Sequence, residues 1–236
     1  MKVRLLILLF FASLGFANSQ SVIIEGGLSV ATINYNNVNF AKNEKFSNNM
    51  GFHAGVLASF PIGPIFELQT GLILETKGWI LDFNGVDTLT NTADPDILVN
   101  LNASNYYLEL PVMIKENYRL KNGWIISAAV GGYVAYGLFG EYHFTIENLK
   151  AGTTQERKND VSWGNDPSSH DLVRLDYGLS FALGLELSGL YIGLGYDLGL
   201  ANILPPDEGI EANNRVFRVT AGYVIRKKKV LPMEQP

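Results

Sequence analysis

The sequence predicts an all-β fold, an eight-stranded antiparallel up-and-down transmembrane β-barrel. Three observations carry this. A stretch from 171 to 200 alternates large apolar with small or charged residues almost without error. The remaining strand-like segments come in an even number, joined by connections that alternate short and long. After the amino terminus no window reaches the apolar length of a spanning helix, so any membrane crossing must be made by strands.

In the 171–200 segment one face carries Val173, Leu175, Tyr177, Leu179, Phe181, Leu183, Leu185 and Leu187, and the other carries Arg174, Asp176, Gly178, Ser180, Ala182, Gly184 and Glu186. Its second half repeats the pattern, with Leu190, Ile192, Leu194, Tyr196, Leu198 and Leu200 against Tyr191, Gly193, Gly195, Asp197 and Gly199. Strands of this length suit a tilted bilayer crossing better than a globular sheet. Charges such as Arg174 and Asp176 set among glycines suit a narrow wet lumen, which places the leucines toward lipid.

The amino terminus has Lys2 and Arg4, an apolar run from Leu5 to Phe11, and then Ala17, Asn18 and Ser19. That is the pattern of a secretory signal peptide over residues 1–19, too short to span a membrane. Without Lys2 and Arg4 the mature chain keeps 16 basic against 23 acidic residues, a net charge of about −7. An acidic chain argues against a nucleic-acid partner. There is no cysteine, so no lipoprotein anchor is expected, and closure of the barrel supplies the stability that disulfides would give. The remaining residues, 20–236, read as one domain.

Eight strands are expected at 21–33, 50–61, 64–83, 105–119, 122–140, 171–187, 189–201 and 215–227. Short turns fall at Pro61-Ile62-Gly63-Pro64, Leu120-Lys121-Asn122-Gly123 and Ser188-Gly189. Long polar loops fall at 34–49, 84–104, 141–170 and 202–214, with Thr153 to Asn165 expected to be mobile. Short periplasmic turns and long outward loops are the layout of bacterial outer-membrane barrels, and residues 227–236 become a periplasmic tail. Aromatic girdles are expected on the turn side from Phe60, Phe66, Tyr118, Trp124 and Tyr223. On the loop side they are expected from Trp79, Tyr106, Tyr107, Tyr136, Phe139 and Tyr142.

The segment Asn105-Tyr-Tyr-Leu-Glu-Leu-Pro-Val-Met-Ile-Lys115 resembles the Tyr-Leu-Glu-x-Pro strand of the PorT-like outer-membrane β-barrel proteins of Bacteroidetes. The surrounding order is also similar: Thr76-Lys77-Gly78 before it, a Gly-rich strand from Ala128 to Gly137 after it, then Asp176-Tyr-Gly178. The resemblance implies an eight-stranded barrel. One namesake of that family belongs to the type IX secretion apparatus, while most members have no known activity. The tail from Lys227 to Pro236 departs from barrels that end on an aromatic strand residue.

Alternation carried through every strand puts Glu67, Glu75, Lys77, Glu109, Lys115, Arg174, Asp176, Glu186, Asp197, Arg218 and Arg226 on the lumen side. A barrel of eight strands is only wide enough for side chains to fill it. These charges are expected to pair across the bore, since an unpaired one there is costly. Pro111 within a strand pattern points to a bulge or local bend at Glu109-Leu-Pro111.

For enzyme chemistry the three histidines offer little. His53 lies on the lumen face, with Ser59 too far along the same strand to bond to it, and His143 and His170 lie in a loop. No pair of histidines has metal-ligand spacing, and no cofactor is expected. The loop acids Asp82, Asp87, Asp94, Asp96, Glu156, Asp160 and Asp166 match no calcium loop. The expectation is a non-enzymatic outer-membrane protein in contact with lipid and with other envelope or secretion proteins. Two alternatives stay open: a small porin or ion channel lined by the lumen charges, and a soluble lipocalin-type barrel with its leucines turned inward.

Overall fold

The computed structural model describes residues 21–37, 45–87, 92–206 and 210–226. The expected signal peptide and the 227–236 tail lie outside these residues. The described chain forms ten strands: β1 (Ser21–Asn37), β2 (Lys45–Ser47), β3 (Asn49–Pro61), β4 (Phe66–Asp87), β5 (Thr92–Arg119), β6 (Ile125–Asn148), β7 (Thr153–Asp160), β8 (Leu175–Leu187), β9 (Leu190–Gly199) and β10 (Ile210–Arg226). Eight of them close a ring in the order β1, β3, β4, β5, β6, β8, β9, β10, every neighbour antiparallel. β10 returns to β1 over the whole length of β1, from Ser21 opposite Arg226 to Asn37 opposite Ile210. Closure leaves the spanning strands no free edge, which a bilayer requires.

The other two strands extend the outer wall beyond the membrane. β2 continues along β4 where β3 ends, and β7 continues along the upper part of β6 where β8 does not reach. β4 and β5 stay paired up to Asp87 opposite Thr92, with one register shift at Asn84/Val86. The 84–104 and 141–170 loops are therefore largely hairpin extensions, and Thr153–Asp160 is a strand paired to β6 instead of a mobile segment. Apolar alternation breaks at Asn84, Asn100 and Asn102 while backbone pairing continues.

Side-chain parity sets the two faces. Leu175, Tyr177, Leu179, Phe181, Leu183 and Leu185 of β8 point outward and are exposed, as are Leu190, Ile192 and Leu194 of β9. Asp176, Ser180 and Asp197 on the alternate positions are fully buried in the bore. This orientation is opposite to that of a lipocalin, whose apolar residues face inward. The turn at the foot of β8 and β9 has Ser188 at φ 50° and Gly189 at φ 90°. Two left-handed residues in a row make the two-residue hairpin whose twist matches its strands.

The outer mouth is closed from within. Residues 161–174 and 200–206 fold over the bore and bond to each other, Val173 N donating to Ile203 O at 2.8 Å. Val161, Leu172 and Ile203 pack there with Ile33, Trp79, Ala103 and Ala212. Trp163 lies edge-on to Tyr107, with ring centroids 5.7 Å apart.

Candidate functional site

The lumen is the one place where the chain concentrates buried charge among the described residues. Lys77 from β4 sits between two carboxylates, 2.9 Å from Glu109 Oε2 and 3.0 Å from Asp176 Oδ2. Its ammonium also lies 4.1 Å from the ring centroid of Tyr133, a cation–π contact that desolvation strengthens. Asp176 accepts further hydrogen bonds from Asn214 Nδ2 at 3.0 Å and from the Tyr133 hydroxyl at 3.3 Å. Arg218 from β10 reaches three acids: Asp197 at 2.9 Å, Glu109 at 3.2 Å and Glu75 at 3.7 Å. Glu109 thus joins the two cations, one on each oxygen. Ser180 donates to Asp197, and Ser29 to Glu75 at 3.4 Å.

This middle layer draws on β1, β4, β5, β6, β8, β9 and β10; Ser180–Asp197 and Asp197–Arg218 join neighbouring strands, whereas Lys77–Asp176 and Arg218–Glu109 cross the bore and form only when distant strands are brought together. A second layer lies toward the turns. There Glu67 and Lys115 are directly opposite across the β4–β5 pair, and Arg226 holds Glu186 through Nε and Nη2. Lys115 Nζ stands 5.9 Å from the ring centroid of Tyr191.

Arg174 departs from the expected network. It precedes β8 and turns to the wall, its Nη1 donating to the carbonyls of Gly137 and Leu138 at 2.6 and 3.1 Å. Its guanidinium lies 5.3 Å from the Trp163 ring centroid and 5.6 Å from that of Tyr136. The reason is that β8 pairs with β6 only as far as Tyr136 opposite Leu175, so residue 174 no longer follows strand parity.

Of the expected girdle, Phe66, Tyr118, Tyr136, Phe139 and Tyr223 are exposed on the outer face. Tyr106 stacks on Phe139 there, at 4.5 Å between centroids. Phe60 and Trp124 are half-buried. Trp79 does not belong to the girdle. It shares parity with Glu75 and Lys77, points inward and is buried in the mouth cluster, where Tyr142 packs against it. Tyr107 is fully buried inside for the same reason. Pro111 marks no register shift. The β4–β5 ladder only loses its pairs between Ile73 opposite Glu109 and Thr70 opposite Val112, where proline has no N–H to give. The shift in β5–β6 pairing falls instead at Tyr106/Tyr107, with Leu138 as the extra residue of β6.

The fold brings a serine, a histidine and an acid together that sequence spacing had kept apart. Ser29 Oγ lies 3.5 Å from His53 Nδ1 and 3.4 Å from Glu75, while His53 Nε2 is 3.0 Å from Thr220 Oγ1. In a nucleophilic triad the histidine stands between the hydroxyl and the acid. Here the serine stands between the other two, and all three are buried. The carboxylates of Glu75, Glu109 and Asp197 offer oxygens within 4.8 Å of one another, a spacing that a metal ion could bridge. Arg218 already stands among them as the counter-charge.

The loop acids are engaged locally. Lys150 contacts Asp96 at 2.6 Å and Asp94 at 3.7 Å, and these acids raise its pKa. Asp166 accepts from the Ser168 amide and hydroxyl and from the Ser169 hydroxyl, which hold its carboxyl below the usual aspartate range. Asp82 accepts from Asn100 Nδ2 at 2.6 Å, and Glu156 lies 3.6 Å from His143 Nε2. Sequence reasoning missed Ser29, Tyr133 and Asn214. The lumen parity of Ser29 and Tyr133 was legible, but nothing in an uncharged residue marks it as a partner for a charge, and Asn214 falls at the end of the expected 202–214 loop.

A family model described as "Outer membrane protein beta-barrel domain" matches residues 16–204. Among solved structures, OprG of Pseudomonas aeruginosa is similar at 11% identity and a TM-score of 0.45, over 89% of this chain and 98% of that one. Ail, the attachment invasion locus protein of Yersinia pestis, is similar at 10% identity and a TM-score of 0.35, over 88% and 99%. Neisserial surface protein A gives 8% identity and a TM-score of 0.40, over 87% and 97%. No curated protein matches the chain in sequence.

Proposed function

The chain belongs to the outer membrane protein beta-barrel domain family, and from that premise we propose that it is a non-enzymatic, non-conducting barrel acting through its outer surface. That surface contacts other envelope or secretion proteins, the latter in the manner of the PorT-like proteins it resembles. The barrel resides in the bacterial outer membrane, exported on residues 1–19.

The observation that carries this reading is the filled bore. Lys77, Glu109 and Asp176 are wholly buried at its middle, and the Leu172–Ile203 plug lies over them. Opposite charges that bind one another, with no ring of one sign, make a poor ion path. The extended walls of β4 to β7 give the chain an outer surface well beyond what spanning requires. The buried Ser29–His53–Glu75 group has no route to a substrate, which supports a role without catalysis.

The test is planar-bilayer conductance of the refolded chain, run beside site-specific photo-crosslinking in native envelopes from Glu147 in the outer wall and from Leu183 on the lipid face. The expected result is no steady current and a discrete crosslinked protein from position 147 only. Steady current from the wild-type chain would replace this reading with a channel.

A further inference from the structure

Above the plug, a cleft of about 500 Å³ opens on the concave face of the extended wall, a size typical of small-ligand sites. Trp79, Tyr142 and Phe144 form one side in a relay of rings, with centroids 6.4 Å apart at each step. Tyr35 and Phe46, paired at 5.1 Å, face them. The exposed carboxylates of Asp160 and Asp171 stand on its rim, and none of the described residues lining it is basic. Asp171 is fixed in place by the Ser162 amide, which donates to its Oδ2 at 2.8 Å.

We propose that this cleft binds a small organic cation, an ammonium group carried on an apolar body, between the aromatic wall and the two aspartates. The ring faces carry negative quadrupole potential, so they attract a weakly hydrated cation while covering its apolar part. The aspartates add charge attraction and leave an anionic ligand of the same shape repelled. Arg157, opposite Phe144 across the β6–β7 pair, donates its Nε to Asn159 Oδ1 at 3.3 Å beside the cleft, one positive charge against the two aspartates on the rim. The cleft opens to the outside of the cell and lies off the bore, so the inference does not depend on the barrel being closed or having a protein partner.

Three tryptophans make the test readable: Trp79 in the cleft, Trp163 in the plug and Trp124 at the opposite end. The full chain, labelled at tryptophan nitrogen and refolded in detergent, is titrated with benzyltrimethylammonium and separately with benzylsulfonate. Saturable shifts of the Trp79 indole signal with the cation, none with the anion, and a Trp124 signal that stays still are expected. The double variant Asp160→Asn with Asp171→Asn should weaken the cation roughly tenfold or more. Equal response to both probes, equal response at Trp124, or unchanged affinity in the double variant would each overturn the proposal. If the double variant loses the heat-modifiable gel mobility of a folded barrel, the comparison of the two probes on the wild-type chain still decides.

Discussion

Lys77 and Asp176, 99 residues apart in sequence, meet at 3.0 Å in the centre of the bore with no solvent access to either side chain. β4 and β8 are not neighbours in the ring. The pair therefore reports on closure of the whole barrel, not on any one hairpin.

Removing the cation leaves buried Asp176 without a counter-charge, while Glu109 keeps Arg218. Lys77→Met is expected to cost about 3–5 kcal/mol, the loss typical of breaking a buried pair from one side. Urea titration of the refolded barrel, followed by gel mobility without boiling, reads this directly. A loss below 1 kcal/mol would mean that water reaches the site.

Glu75 should behave differently from Asp176. Of the three acids that Arg218 reaches it is the farthest, at 3.7 Å, and it has only a long contact from Ser29, within a layer that holds four carboxylates and two cations. Glu75→Gln removes excess negative charge and keeps the shape, so stability should stay within about 1 kcal/mol of wild type. Asp176→Asn, by contrast, should be clearly destabilising in the same titration.

The outward face can be tested at Leu183, which is 61% exposed near the middle of β8. Leu183→Arg is expected to cost roughly 2–4 kcal/mol if it lies near the bilayer midplane. Leu183→Ala should cost much less, since it leaves no cavity in a core. Equal losses for the two would mean that Leu183 packs against protein.

Gly137 determines how the plug seats. A Cβ at this position would fall 2.4 Å from the Trp163 ring. The ring is the movable partner, so Gly137→Ala should leave the barrel folded but displace Trp163 and the 161–174 segment. Faster proteolysis within that segment at unchanged unfolding midpoint is the expected pair of results.

One pH effect lies outside the membrane. Three hydrogen bonds from Ser168 and Ser169 depress the Asp166 carboxyl. A depressed carboxylate stabilises its turn above its unfolded pKa, and that stabilisation disappears as pH falls through the lowered value. Carboxyl-carbon NMR should therefore place the Asp166 midpoint below the ordinary aspartate value, and Ser168→Ala should move it upward. An unchanged midpoint in the variant would show that the turn does not form in solution.

Much of the barrel was legible in the sequence. Strict two-residue alternation determined the facing of each spanning strand, because only one parity puts Leu183 in lipid and Asp176 in the bore. The short turns were legible from Gly and Pro, and the lumen position of Glu75, Lys77, Glu109 and Arg218 from parity alone. The tertiary structure decided the rest. Which charge meets which depends on the stagger at closure, so no local pattern joins Glu109 to both Lys77 and Arg218. Trp79 could look like a girdle residue because it stands near a strand end, although its parity faces the bore. The extended walls were hidden because alternation reports the contrast between lipid and lumen, and that contrast ends at the membrane surface while backbone pairing continues. The plug of Leu172 and Ile203 was hidden too, since two short apolar stretches acquire an inside only when the strands around them form a mouth to fill.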